Sequence, residues 1–281
     1  LQRVWTIRKI SAMHLDVQDL RNFYYRQPLG RAAQNTLQCE LTRIWPDTSG
    51  QTVAGFGFAV PLLRPFLTRS RRVIALMPGP QGVVSWPSRL ENVSVLTDDA
   101  MWPLETGHVD RLIVLHGLET SDDPNSVLEE AWRVLGPGGR ALFIVPNRVG
   151  LWSRSEHTPM GFGRPYTISQ LETQLRIQGF LPEQSSATLF QLPSFKKGWQ
   201  RFGPFLEKVG QSLPFLAGGV LIVEASKRVQ PLTGSREEKK KRKRLGVLDG
   251  FGEAKPKPAL VPLRPNVELK FDESPRFFLG E

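Results

Sequence analysis

The chain has 281 residues, 40% of them hydrophobic, which is enough for one large or two small domains with a packed core. A single cysteine, Cys39, excludes an intramolecular disulfide framework, and four scattered histidines give no zinc spacing, so no metal is expected. The net charge of +10 is uneven: from Lys227 onward 14 Lys and Arg face 8 Asp and Glu, so +6 lies there and a globally basic, nucleic-acid-coating core is excluded. No apolar run reaches bilayer-spanning length, and with one cysteine the expected compartment is cytoplasmic.

Residues 1–45 form an N-terminal helical segment in this reading. Leu1 to Ala12 lacks punctuation and carries Arg3, Arg8 and Lys9, whereas MHLDVQDLRNFYYRQPLG begins a better-formed segment, which makes Met13 a candidate start. Helices are expected over Asp16–Tyr25 and Arg31–Trp45, separated by a break at Gln27-Pro28-Leu29-Gly30. Such helices cover a sheet or close over a ligand, and Tyr24 and Tyr25 are read as packing residues, with lining a site as the alternative.

An α/β domain is expected over 46–226. The turn Pro46–Gly50 leads into a first strand from Thr52 that carries Gly55-Phe56-Gly57. Val73–Met77 and Val93–Leu96 are the second and third strands, the latter followed by Asp98, Asp99, Met101 and Trp102. Leu112–Leu115 is an apolar run suited to a strand buried on both faces. SDDPNS supplies N-cap chemistry, with Pro124 in a first helical turn, and Val127, Leu128, Ala131, Val134 and Leu135 recur at helical spacing. Gly136-Pro137-Gly138-Gly139 stops that helix, and Ala141–Val145 is the next strand. Strand, helix and strand make a βαβ unit, which belongs to a parallel sheet covered by helices.

After Asn147 comes a loop rich in arginine and aromatic residues. A helix over Ile168–Gln178 and two last strands over Ala187–Leu192 and Gly219–Glu224 follow. Between those strands Pro193–Pro214 is a basic, aromatic insert with Lys196, Lys197, Trp199, Arg201 and Phe202. Residues 227–281 read as a basic, disordered tail, in which the run Arg236–Arg244 suits contact with nucleic acid or acidic surfaces.

The segment Val109-Asp110, the helix end Trp132-Arg133-Val134-Leu135 and the turn Gly136-Pro137-Gly138-Gly139-Arg140 together resemble the second half of a class I S-adenosylmethionine-dependent methyltransferase of the type 11 kind. The likeness extends over roughly Thr52 to Phe180. It implies a doubly wound, mostly parallel Rossmann-like sheet, S-adenosylmethionine as cofactor and methyl transfer to an acceptor that the sequence does not identify.

The resemblance also assigns places. Gly55, Phe56 and Gly57 match the cofactor loop, with Ala59 where a third glycine is usual and Val53 where an acidic residue is common. Met77 stands where the family carries an Asp or Glu for the ribose hydroxyls, so a bidentate contact is missing, and Gln81 and Ser85 are the nearest polar substitutes. Asp98 or Asp99 matches the adenine-binding carboxylate, and Met101 and Trp102 the apolar wall; the alternative is that the aspartates cap a turn and Trp102 packs in the core. Asp110 has a structural task. His116, past the fourth strand with Glu119 close by, faces the acceptor or bonds a loop backbone. Arg148, Trp152, Arg154, Arg164 and Tyr166 are candidates for holding an acceptor, or else anchor a surface loop. The departures at Met77 and Val53 also suit a degenerate relative that has kept the fold as a binding or regulatory module, and the basic tail suits a nucleic-acid-associated protein.

Overall fold

Strands that are apolar on consecutive residues must bury both faces. In the computed structural model, which describes residues 15–194 and 217–228 with Glu207 and Gly210 between them, such strands form the centre of one sheet. β1 (Thr52–Gly57), β4 (Val109–Leu115) and β5 (Leu135–Pro146) lie side by side, with β2 (Arg72–Pro78) and β3 (Ser94–Thr97) beyond β1, and β7 (Val220–Lys227) and β6 (Phe180–Thr188) beyond β5. The order is therefore β3-β2-β1-β4-β5-β7-β6, parallel except for β7, which runs antiparallel to both neighbours. Strand order reverses between β1 and β4, and the carboxyl ends of these two strands form the switch point where ligands bind in open α/β sheets.

Period-two alternation divides the sheet between two cores. Val53, Ile113, Leu115 and Ile144 pack with α1 (Val17–Arg26), α2 (Pro28–Ile44) and α3 (Val60–Leu63). Ala54, Phe56, Leu112, Val114 and Phe143 pack on the other face with α4 (Pro124–Val134) and α5 (Ile168–Ile177). Asp16 caps α1 by accepting the Gln18 N–H, and Asp123 caps α4 by accepting from Asn125 and Ser126. α2 meets α1 so closely at Gly30 that a side chain there would run into the Phe23 carbonyl. At its other end Trp45 donates its indole N–H to the buried Glu224 of β7, at 2.8 Å.

Several element limits differ from those expected. Pro28 opens α2 at its first turn, where a missing N–H costs nothing, so the break between the helices narrows to Gln27. α4 ends at Leu135, whose backbone is already extended, and the chain passes directly into β5. Gly136–Gly139 is thus an irregularity within β5, where pairing jumps from Val109–Leu135 to Arg111–Arg140 and Gly138 takes φ +73°. β6 begins at Phe180, not near Ala187, because this edge strand needs only one buried face and tolerates Pro182 at its register shift. Leu189, at φ +59°, is already past it. Lys227 closes β7 instead of opening a tail: its ammonium donates to the Leu135 carbonyl at 2.7 Å and lies 4.0 Å from the Trp132 ring centroid. Met13, the insert residues Lys196, Lys197, Trp199, Arg201 and Phe202, and the run Arg236–Arg244 lie outside the described residues. Among the described residues no helix is long and apolar enough to cross a membrane, and no cluster of three or more metal-ligating side chains occurs.

Arg133 ties α4 to the loop after β3. Its guanidinium donates to both carboxylate oxygens of Glu130, at 2.6 and 2.7 Å, to the Leu104 carbonyl at 2.7 Å and to the Trp102 carbonyl at 3.0 Å. The Arg133 hydrogen bond, partly opposed by desolvation, holds the Glu130 carboxyl below its ordinary range. Arg133→Ala is expected to lower stability by about 2 kcal/mol at neutral pH in urea denaturation. Because the folded-state pKa of Glu130 is depressed, this contribution is present above the ordinary carboxylate range and lost as pH falls through the lowered value. The gap between wild type and variant should narrow on acidification.

Candidate functional site

The switch point is built on a close approach of backbones. Gly57 ends β1 at φ +79°, and a Cβ there would collide with the Leu115 carbonyl and the backbone of Gly117. Gly55 faces Ala59 and Leu63, so its missing side chain lets α3 pack on β1. Both glycines are thereby accounted for by the fold. Phe58 donates its N–H to the Leu115 carbonyl at 2.8 Å, which fixes the turn into the four-residue α3 and the 3-10 turn Arg64–Phe66.

His116 follows β4 directly, in the left-handed region at φ +53° and only 2% exposed. Its Nε2 lies 2.8 Å from the Tyr24 hydroxyl and its Nδ1 3.0 Å from Glu119 Oε1. A Glu119 carboxylate can only accept, so Nδ1 carries the proton and Nε2 accepts from the Tyr24 O–H. Burial foremost, and then the charge of Glu119, raises the Tyr24 pKa well above its ordinary value, so its proton stays. The second oxygen of Glu119, also buried, has no hydrogen-bond partner among the described residues.

Three further segments close around this pair. Gln81, after β2, donates its side-chain amide to the His116 carbonyl, which also accepts from the Thr120 hydroxyl at 3.0 Å. The Gln81 carbonyl in turn accepts the Val17 N–H at 2.8 Å, holding the start of α1 over the edge. Arg164 donates its N–H to the Glu119 carbonyl at 2.8 Å, and Gly163 at φ +78° has no room for a side chain against Glu119. The half-buried Tyr166 has its pKa pushed up to about 12 by burial, then by Glu119, with Arg164 opposing. Tyr24 stacks on Phe58, ring centroids 5.9 Å apart, and both are buried.

The remaining candidate residues are spread around this centre. Asp98 is exposed and caps the Ala100 N–H, while Asp99 accepts the Ser121 hydroxyl at 2.7 Å. Met101 is 74% exposed. Trp102 turns away into the second core, stacked 4.5 Å from Phe56, and donates its indole N–H to the Asp99 carbonyl. Met77 is buried, its sulfur accepting the Val84 N–H at 3.4 Å. Arg148 holds the Pro165 carbonyl with two donors and shapes the loop beside Tyr166. Trp152 lies in the first core with its indole N–H on the Gln191 carbonyl, and Arg154 is exposed. Asp110 accepts the Thr52 N–H at 2.8 Å, across to the start of β1. Sequence offers Tyr24 as a packing or site-lining residue; its partner lies 92 residues away and no local pattern links them.

With α1 in place, the edge is closed to S-adenosylmethionine. Phe58 and Tyr24 fill the ground beside Gly57, the helix after β1 has only four residues, and the side chain at position 77 is an apolar thioether turned to its own loop. Of the polar groups near the edge, Gln81 is engaged with His116 and Thr120. The loop of Asp98, Asp99 and Met101 stands partly open, as do Gly79 and Pro80 after β2.

Comparison with known proteins agrees on the fold. A model of the family described as "Methyltransferase domain" matches residues 54–143, from β1 to β5. A Thermotoga maritima protein described as a SAM-dependent methyltransferase and possible histamine N-methyltransferase superposes with a TM-score of 0.52 at 16% identity, covering 75% of this chain and 96% of that one. A SAM-dependent methyltransferase from Archaeoglobus fulgidus gives 0.52 at 16% identity, over 75% of this chain and all (100%) of that one. The [4+2]-cyclase SpnF gives 0.50 at 17% identity, over 72% and 83%. No curated protein sequence matches the chain. Residues 54–143 thus match the methyltransferase-domain family, and the seven-stranded sheet has the fold of the methyltransferases superposed on it.

Proposed function

We propose that the chain transfers a methyl group from S-adenosylmethionine at the carboxyl edge of β1 and β4, in a state where α1 has moved off that edge. The family-model match over residues 54–143 supports the reaction class, and the geometry of His116 supports the place. A histidine held at a left-handed φ costs about 1–3 kcal/mol that glycine would avoid, and such strain clusters at functional sites. At the opened edge, S-adenosylmethionine would supply the electrophilic methyl group. Glu119 keeps the Nδ1 proton in place, and Nε2 then faces the ground that Tyr24 occupies, ready to accept a proton from a hydroxyl or amine acceptor. The Tyr24 O–H is an internal stand-in for that acceptor. Departure of α1 also removes the Val17 N–H from the Gln81 main-chain carbonyl, while the Gln81 side-chain amide stays on the His116 carbonyl. Arg164 and Tyr166 border the acceptor side, and transfer itself rests on positioning.

Met77 and Phe58 favour a second reading, a domain that keeps the methyltransferase fold as a binding module with its edge closed. Calorimetric titration with S-adenosylmethionine and S-adenosylhomocysteine separates the two. Saturable binding that Gly57→Arg abolishes supports methyl transfer; absence of heat up to millimolar ligand, in wild type and in Tyr24→Phe alike, sinks it and leaves the binding module.

Tyr24→Phe keeps the ring and removes only the bond to His116. It is expected to lower stability by about 1 kcal/mol in urea denaturation. If closure of α1 limits entry, the same change raises affinity for S-adenosylhomocysteine about fivefold.

A further inference from the structure

Beside the first core, and separate from the switch point, α1, α3 and the loop after β2 enclose a cavity of about 290 Å³. Its walls carry Arg21, Arg26 and Arg64, the rings of Tyr25 and Trp86, and the hydroxyls of Ser85 and Ser88. Helical spacing brings these groups together: Arg21 and Tyr25 are one turn apart on α1, as are Val60 and Arg64 across α3 and the following turn. No carboxylate lines the cavity. Among the described residues none of the three arginines forms an ion pair, so three like charges converge on one concave surface without a counter-charge.

The neutral groups point the same way. Tyr25 and Trp86 both line the cavity, and a phenol O–H and an indole N–H can each donate. Burial pushes the Tyr25 pKa up to about 12, against the neighbouring Trp86 indole and the charges of Arg64 and Arg21, so its proton stays. The cavity therefore offers charged and neutral donors together with aromatic surface, which is how proteins take a phosphoryl group attached to a compact or planar body. Its volume sits at the lower limit for small-molecule sites. Trp86 lies against the start of β3, its N–H on Ser94 Oγ at 3.1 Å and its carbonyl accepting from Val93, whereas the carboxyl edge lies at the other end of that strand.

We propose that this cavity binds the phosphate of a small phosphomonoester, with Arg21, Arg26 and Arg64 on the phosphate oxygens and Tyr25 and Trp86 beside the attached group. The site does not overlap the cofactor edge, but α1 carries Arg21, Tyr25 and Arg26 as well as Tyr24, so it belongs to the state with α1 in place and does not require that the edge be catalytic.

The test is calorimetric titration of the full chain with inorganic phosphate, glycerol 3-phosphate and AMP, and sedimentation with vesicles containing phosphatidic acid. Saturable binding of a soluble phosphomonoester is expected, weakened about tenfold by Arg64→Gln and by Arg21→Gln. Ser88→Glu should abolish it with every arginine in place, and Arg43→Gln, outside the cavity, should change nothing. These exposed substitutions leave the basic tail intact, so binding that survives them belongs to the tail and overturns the proposal. Absence of saturable binding up to ten millimolar, or binding to phosphatidic acid vesicles alone, would each overturn it as well.

Discussion

The contact of Gly57 with the backbone of Leu115 and Gly117 governs the architecture of the site. It draws the carboxyl ends of β1 and β4 so close that the chain leaving β4 has no extended path, and His116 turns into the left-handed region. That turn aims the imidazole back over the sheet edge, where α1 meets it with Tyr24 and the 116–119 turn meets it with Glu119. A larger residue at 57 would part the strands and dissolve the whole arrangement.

Burial of this polar pair is affordable because nearly every group in it is answered. The His116 ring has a partner on each nitrogen, its carbonyl has two donors, and Gln81 links it onward to α1. The exception is one oxygen of Glu119, whose lack of a partner is costly in a low-dielectric interior. The network is thus held by packing around it, from Phe58 on one side and Gly163 and Arg164 on the other.

Much of the fold was legible because the central strands bury both faces and must be apolar throughout, as in Leu112–Leu115 and Ala141–Val145. β6 was not, since an edge strand with one covered face reads as Leu-Pro-Glu-Gln-Ser-Ser, close to loop composition. The pairing of His116 with Glu119 was legible from a spacing of three residues, but the tie to Tyr24 spans 92 and needs the fold. Glycine spacing is equally ambiguous: Gly55-Phe-Gly57 looks the same whether it makes room for a cofactor or for α3 and β4. The direction of Trp102 depends on which face the loop after β3 presents, and no local pattern records that.

The contact at Gly30 sets how the edge can be uncovered. With the Phe23 backbone seated directly on that glycine, α1 and α2 are locked as a hairpin, and α1 cannot peel away while α2 stays. Any swing that frees His116 must carry both helices about the segment after Trp45, and the Trp45–Glu224 bond then acts as a latch on β7, on the far side of the sheet order from β2. Access to the edge is thereby coupled to a strand that contributes no side chain to the site.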